Sequence, residues 1–81
     1  METFKLYHFK DSSVLDTCIW DTNNNDLLII FKSKSAWIYK NVPEDVYFNF
    51  INSASAGKFF NENIRNTYPQ KCLFKEGQTV G

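Results

Sequence analysis

The sequence predicts a small α+β domain, an antiparallel β-meander of three to four strands followed by two packed helices. Two observations predict this class. Residues 3–40 contain short runs of apolar, β-branched and aromatic residues, separated by clusters that favour turns. After Pro43, apolar residues recur at helical spacing instead. Because the strands come first and the helices second, without regular alternation, the pattern indicates an α+β fold.

The predicted strands are short segments whose side chains alternate in polarity or are apolar throughout. An Asn-rich cluster at residues 22–26 tolerates turn geometry and separates two of these segments, which predicts a hairpin with a longer loop. Residues 72–74 are a candidate for a short last strand after the helices. The predicted strands of the meander cover residues 3–9, 14–20, 27–31 and 36–40.

Two helices are predicted after the meander. The first begins at Pro43, since proline suits the first helical position and the two acidic residues after it complement the helix dipole. The second begins after Ser55, a good N-cap residue. It buries Phe60 and Ile64 and ends before Pro69, because the residue before a proline leaves helical geometry. The apolar stripe of the first helix consists of Val46, Tyr47, Phe50, Ile51 and Ala54.

Length and composition indicate one domain. The 81 residues are 43% apolar and 17% aromatic, which provides bulk for a core without a disulfide or metal. Cys18 and Cys72 lack the spacing of a metal site, so we expect neither a metal nor a cofactor. We assign residues 1–76 to the domain and residues 77–81 to a flexible C-terminal tail. Without an apolar leader or a membrane-length apolar stretch, we expect a cytoplasmic protein that does not contact membranes.

The charges cancel overall but are distributed unevenly. Nine basic and nine acidic residues leave no net field to attract nucleic acid or anionic membranes. Residues 1–29 have a balance of −3, with two lysines and five acids, whereas residues 30–81 have a balance of +3, with seven basic and four acidic residues. This asymmetry is compatible with a basic face and equally with chance scatter of surface charge.

No catalytic set is visible in the sequence. His8 is the only histidine, and the adjacent Glu44 and Asp45 are explained by their place at the start of a helix. General acid–base catalysis needs convergent titratable groups with shifted pKa values. The glycine patterns of P-loop and Rossmann sites are absent from a chain with three glycines. We therefore expect no enzymatic activity and assign no catalytic residue.

Trp37 and Tyr39 are the first candidate binding residues. Side chains alternate along a strand, so these two aromatic rings share one face. Exposed, they would form a platform on which a nucleobase stacks. Alternatively, this face packs under the helices and the rings belong to the core. The sequence leaves both interpretations open.

Polar residues of the second helix complete the candidate site. Lys58, together with backbone N–H groups at the helix start, suits an anion such as phosphate, although Gly57 beside it would equally serve close packing against the sheet. Asn61 and Arg65 share the polar helical face of Lys58. Arg65 either clamps a phosphate with its guanidinium or pairs with Glu62. The candidate ligand-binding residues are Trp37, Tyr39, Lys40, Lys58, Asn61 and Arg65.

Several segments, taken in order, resemble the KTSC domain, a family also found at the C-terminus of some lysyl-tRNA synthetases. The resemblance covers about residues 12–68. Trp37 stands at the first tyrosine of the family's Tyr-x-Tyr motif, and the turn at residues 33–35 lacks the family's usual glycine. The segments that carry the resemblance are SSV at 12–14, the strand at 27–31, WIY at 37–39, VPEDVY at 42–47, SAGKFFN at 55–61, Ile64, Arg65 and Tyr68.

The resemblance implies a protein that stands alone in bacteria or their phages, without an established activity, and its synthetase context implies RNA binding. One hypothesis is therefore a non-catalytic binding module for a phosphate-bearing ligand, either single-stranded RNA or a small nucleotide. The zero net charge argues against strong duplex binding, which depends on many phosphate contacts.

The alternative hypothesis is a protein-interaction module. It would be a phage-encoded inhibitor of a host or defence protein, or a sponge for a defence signal. Trp and Tyr are common anchors at protein interfaces, so these residues do not separate the two hypotheses. An exposed edge strand would also allow a homo-oligomer to form by sheet pairing.

Overall fold

The computed structural model of the chain describes residues 3–10 and 12–74. These residues form a five-stranded antiparallel sheet in the order β1-β2-β3-β4-β5. The strands are β1 (Phe4–His8), β2 (Leu15–Asp21), β3 (Asp26–Phe31), β4 (Ala36–Tyr39) and β5 (Gln70–Phe74). The helices are α1 (Glu44–Ile51) and α2 (Ala56–Phe59), and α2 continues as a π-helical segment, Phe60–Ile64.

The α+β class is confirmed, with a sheet slightly larger than the predicted three to four strands. The first four strands form the predicted meander. The candidate last strand at residues 72–74 is part of β5, which begins two residues earlier, at Gln70, and pairs with β4. After the helices, the chain returns along β4 and covers backbone groups that would otherwise be an open sheet edge.

The core lies between the helices and one face of the sheet. Alternate residues of the central strands point to this face, so Trp20 and Leu27 are buried while Ile19 and Leu28 lie on the opposite face. The Trp20 indole Nε1–H donates to the backbone oxygen of Val42 at 2.9 Å, which ties β2 to the segment that leads into α1. The buried hydrophobic residues are Phe9, Leu15, Cys18, Trp20, Leu27, Ile29, Tyr39, Val42, Tyr47, Phe50, Phe60 and Ile64.

The helix boundaries differ in detail from the predicted ones. Pro43 is the N-cap of α1 rather than its first residue, and the helix ends at Ile51. Ala54 therefore lies beyond the helix, exposed, and does not extend the apolar stripe. Ser55 occupies the N-cap position of α2, but its side chain makes no capping hydrogen bond. Its backbone N–H donates instead to the Ser53 hydroxyl at 3.2 Å.

Gly57 is not needed for packing against the sheet. A methyl group placed on its Cα would meet no atom within 4 Å apart from its neighbours in the helix. The expectation that glycine permits close helix–sheet packing at this position is therefore wrong. Gly57 faces open space instead.

The outer face of the sheet, away from the helices, is markedly apolar. Leu6, Ile19, Leu28 and Ile38 are register partners across β1 to β4, so they form one continuous row on this face. The side chain of Leu6 is 56% exposed, and Phe4, on the same face of β1, is 58% exposed. No described helix covers this row, since the buried core lies on the other face.

Three further expectations concern the chain ends, the cysteines and membranes. The predicted tail at residues 77–81 lies outside the described residues. Cys18 is buried on β2, whereas Cys72 is half-buried on β5, and both are free thiols. None of the helices within residues 3–10 and 12–74 has the length and apolar character needed to cross a membrane.

Candidate ligand-binding site

A cavity of about 830 Å³ opens between the β4 side of the sheet and the helix formed by α2 and the π-helical segment. Five of the six candidate ligand-binding residues line it. Trp37 and Tyr39 come from β4, Lys58 comes from α2, and Asn61 and Arg65 come from the π-helical segment and the residue after it. Residues that are up to 28 positions apart in the chain therefore meet in one cavity.

Aromatic rings form the floor of the cavity. The ring of Phe60 lies edge-on to Phe31, with 5.5 Å between centroids, and edge-on to Tyr39, with 5.4 Å between centroids. Edge-to-face pairs of this kind hold the rings in fixed orientations. Trp37, half-buried, extends this surface along β4. The floor is thus formed by aromatic rings, which suits the flat face of a ligand.

The structure distinguishes the two aromatic residues of β4. Tyr39 is only 2% exposed and belongs to the core, so its ring face is occupied by Phe60 rather than available for stacking. Burial raises the pKa of the Tyr39 hydroxyl, while the positive charge of Arg65 lowers it. Arg65 is therefore close enough to influence this hydroxyl. Trp37 lines the cavity and is half-buried.

The polar rim of the cavity is centred on Arg65. Its Nη1 donates to the Oδ1 of Asn61 at 3.4 Å, one helical turn earlier. The alternative partner, Glu62, forms no salt bridge with it; the ion pairs among the described residues are Lys5–Glu44 and Lys40–Asp26. Since a guanidinium carries five N–H donors, Arg65 retains donors that an incoming acceptor can use.

The π-helical geometry of this segment was not predicted from the sequence. The backbone N–H of Arg65 donates to the oxygen of Phe60, five residues earlier, at 2.9 Å. Such π-helical turns are rare and occur frequently at functional sites. Here the turn carries Asn61 and Glu62 at the rim and Phe60 in the floor.

Lys40 does not join the other candidate residues. It does not line the cavity, and its Nζ lies 3.0 Å from the Oδ2 of Asp26 in an ion pair. Strand alternation explains this placement, because Lys40 follows Tyr39 and points to the opposite side of the sheet.

Several residues of the cavity were missed by sequence reasoning. Ser33 and Ser35 come from the β3–β4 turn, and their hydroxyls lie 3.0 Å apart. The alternation of β3 already placed Phe31 on the same face as Leu27 and Ile29, so the sequence contained a signal for it. The sequence contained no such signal for Gln70. This residue reaches the cavity because β5 pairs with β4.

His8 lies apart from the cavity. Its Nδ1 is 2.9 Å from the Oγ1 of Thr17 on the neighbouring strand. His8 lines neither this cavity nor a second, smaller cavity near the end of β1. Within the part of the chain that the structure describes, no cluster of three or more His, Cys, Asp and Glu residues has the geometry to hold a metal ion.

Comparison with known proteins places the chain among KTSC proteins. The family model of the KTSC domain matches residues 11–68. The crystal structure of a KTSC domain protein from Yersinia pestis superposes with a TM-score of 0.80 and is 26% identical in sequence. The match covers 86% of this chain and 97% of the Yersinia pestis chain. Among curated proteins, none matches the sequence significantly.

Proposed function

The chain belongs to the KTSC domain family, and from its cavity we propose that it is a non-catalytic binding module for a phosphate-bearing ligand, a nucleotide that is either free or part of single-stranded RNA. The observation that carries the proposal is the convergence of five predicted contact residues on one cavity. Its volume of about 830 Å³ lies within the usual range for small-molecule sites, roughly 300–1,000 Å³.

The aromatic floor and the polar rim of the cavity match the base and the phosphate of a nucleotide. The base lies against Trp37 and the aromatic floor, where stacking contributes about 1–3 kcal/mol per base. The phosphate lies at the rim between Lys58 and Arg65, and the guanidinium fork suits two phosphate oxygens at once. The Asn61 amide and the Ser33 and Ser35 hydroxyls supply hydrogen-bonding groups for base edges or the sugar.

The neutral charge of the chain is consistent with this proposal. Two cations at the rim are enough for one phosphate, whereas strong non-specific binding to a duplex requires many phosphate contacts. Glu62 at the same rim carries a negative charge, which disfavours an extended polyanion close to it.

The test begins with the protein purified from cells. After denaturation, the released small molecules are analysed by mass spectrometry and ultraviolet absorbance, and the refolded protein is titrated with the four 5′-ribonucleoside monophosphates by calorimetry. We expect about one bound nucleotide per chain or a measurable affinity for at least one monophosphate. Arg65→Ala is expected to weaken that affinity about tenfold or more, as for the loss of a charge-assisted hydrogen bond.

Lys71→Ala is the matched control for the loss of one positive charge. Lys71 is exposed on β5 and lies outside the cavity. A protein that releases no nucleotide, and binds neither monophosphates nor short single-stranded RNA at millimolar concentration, would contradict the proposal. Equal effects of Arg65→Ala and Lys71→Ala would also contradict it, because only the first residue lines the cavity.

The second candidate function is a protein-interaction module, and the outer face of the sheet is the observation that favours it. The row of Leu6, Ile19, Leu28 and Ile38 is apolar, and large exposed apolar patches mark interaction surfaces. Replacing Leu6 by Lys would abolish capture of a protein partner while leaving the cavity intact. Affinity capture is carried out with the wild type, with this variant and with Arg65→Ala. The comparison assigns any partner either to the outer face of the sheet or to the cavity.

A further inference from the structure

A second cavity, of about 350 Å³, lies on the same side of the sheet near the end of β1. Its walls come from the segment after β1 and from the loop between α1 and α2. Tyr7 supplies an aromatic ring that is 37% exposed, Lys10 supplies a positive charge, and Ser13 and Ser55 supply hydroxyls. The combination of ring, cation and hydroxyl groups repeats the chemistry of the larger cavity.

The two cavities are neighbours. Val14 and Gly57 line both of them, so these two residues mark the junction between the cavities. At this junction the space above Gly57 is open, since an added Cβ would meet no atom within 4 Å. Alanine is more favourable than glycine in a helix, and no atom of the described residues would obstruct its methyl group here. Together the two neighbouring cavities form a groove whose junction is not blocked by a side chain at position 57.

We infer that the ligand of this groove is an oligonucleotide of at least two units, with one unit in each cavity and the connecting backbone passing over Gly57. The inference rests on the proposed function and deepens it. A repeating ligand fits because each cavity offers one aromatic surface and at least one cation, which are the groups that a base and its phosphate require. A single nucleotide would leave the smaller cavity empty.

The experiment compares ligands that differ by one unit. The affinities of 5′-AMP and 5′-UMP are measured by calorimetry beside those of the 5′-phosphorylated dinucleotides pApA and pUpU. We expect the better dinucleotide to bind at least about fivefold more tightly than its mononucleotide, because one more base stacks and one more phosphate is contacted. Lys10→Gln should remove most of this difference, and Lys71→Gln, which removes the same charge elsewhere, should leave it unchanged.

Gly57→Ala provides an independent variant. It is expected to raise the melting temperature, because alanine favours the helix, and to weaken dinucleotide binding, because its methyl group occupies the junction. A variant that is more stable and binds less tightly cannot owe the loss of binding to misfolding.

The outcomes separate the inference from the function on which it rests. If mononucleotides and dinucleotides bind equally well, or if the dinucleotide advantage survives Lys10→Gln, the two-unit groove is wrong while the nucleotide site stands. If neither ligand binds, the proposed function fails and the inference fails with it. A dinucleotide advantage that is sensitive to both Lys10→Gln and Gly57→Ala supports the groove.

Discussion

The guanidinium Nη1 of Arg65 lies 3.4 Å from the amide Oδ1 of Asn61. The two residues are one helical turn apart at the rim of the larger cavity. The contact is long for a hydrogen bond, and both side chains are exposed, so it orients Arg65 only weakly. The guanidinium, which carries five N–H donors, therefore retains donors for an incoming acceptor at the rim. We propose that Asn61 contributes mainly as a contact for the ligand and only weakly as a partner that orients Arg65.

Replacement of Arg65 by Lys tests the importance of the guanidinium geometry. Lysine keeps the charge but loses the planar fork, so we expect a smaller loss of nucleotide affinity than for Arg65→Ala, about three- to tenfold. Asn61→Ala should cause a similar or smaller loss, because it removes a proposed ligand contact and a partner that orients the guanidinium only weakly. Calorimetric titration with the best monophosphate measures both. Affinity that is unchanged in Arg65→Lys would show that charge alone matters at this position.

Lys34 is strained by its backbone conformation, and glycine should relieve the strain. Its φ of 70° lies in the left-handed region, which costs a residue with a Cβ about 1–2 kcal/mol. The resemblance to the KTSC domain implies a glycine in this turn. The left-handed conformation of Lys34 is a physical reason for a glycine, which adopts it without a steric cost. We expect Lys34→Gly to raise the free energy of unfolding by about 1 kcal/mol, measured by urea denaturation.

Ser33→Gly is the matched control in the same turn. Ser33 is not among the residues with positive φ, so glycine there adds flexibility to the unfolded chain without relieving strain. Its free energy of unfolding should stay the same or fall. A stabilisation of equal size in both variants would contradict the role assigned to the left-handed conformation of Lys34.

Tyr47 should make the stability of the fold sensitive to alkaline pH. Burial raises its pKa from an ordinary value of 10.0 to about 12. Between these values the unfolded chain releases the phenolic proton while the folded chain keeps it, so unfolding becomes more favourable as pH rises. The free energy of unfolding should be insensitive to this group below about pH 10 and fall by up to about 1.4 kcal/mol per pH unit between pH 10 and 12.

Tyr47→Phe removes this contribution. Urea denaturation at pH 8, 9, 10 and 11 should show a shallower alkaline decline for the variant than for the wild type. The stacked contact with Trp20, at 5.4 Å between centroids, is retained by the phenylalanine ring, so the variant should still fold. An identical decline in both proteins would assign the pH dependence to other groups.

The two cysteines should differ in reactivity. Cys18 is fully buried, and burial raises its pKa to about 12, so little of the reactive thiolate forms near neutral pH. Cys72 is half-buried on an edge strand. We expect iodoacetamide at pH 8 to label Cys72 in the folded protein and both cysteines in denaturant, as read by intact mass and peptide mapping. Labelling of Cys18 before Cys72 would contradict the deeper burial of the Cys18 thiol.

The sequence alone determined the four strands of the meander and the positions of the two helices, because each of these has a local signal, whereas the π-helical turn has none. Alternating side chains marked β4, and the Asn-rich cluster placed the turn before β3. Pro43 and the acidic residues after it marked the start of α1 to within one residue. Residue types and their spacing also indicated candidate rings, cations and one amide, and five of these six residues lie in one cavity.

Only the tertiary structure decided which of these residues meet. The pairing of β5 with β4 brought Gln70 to the cavity, and helix–sheet packing buried Tyr39 while Trp37 stayed at the wall. The open space over Gly57, at the junction of the two cavities, likewise has no local signature. Local sequence sets the conformation of each segment and the face on which a side chain lies. Whether that face is covered, and by what, depends on contacts between residues far apart in the chain, which short-range periodicity does not encode.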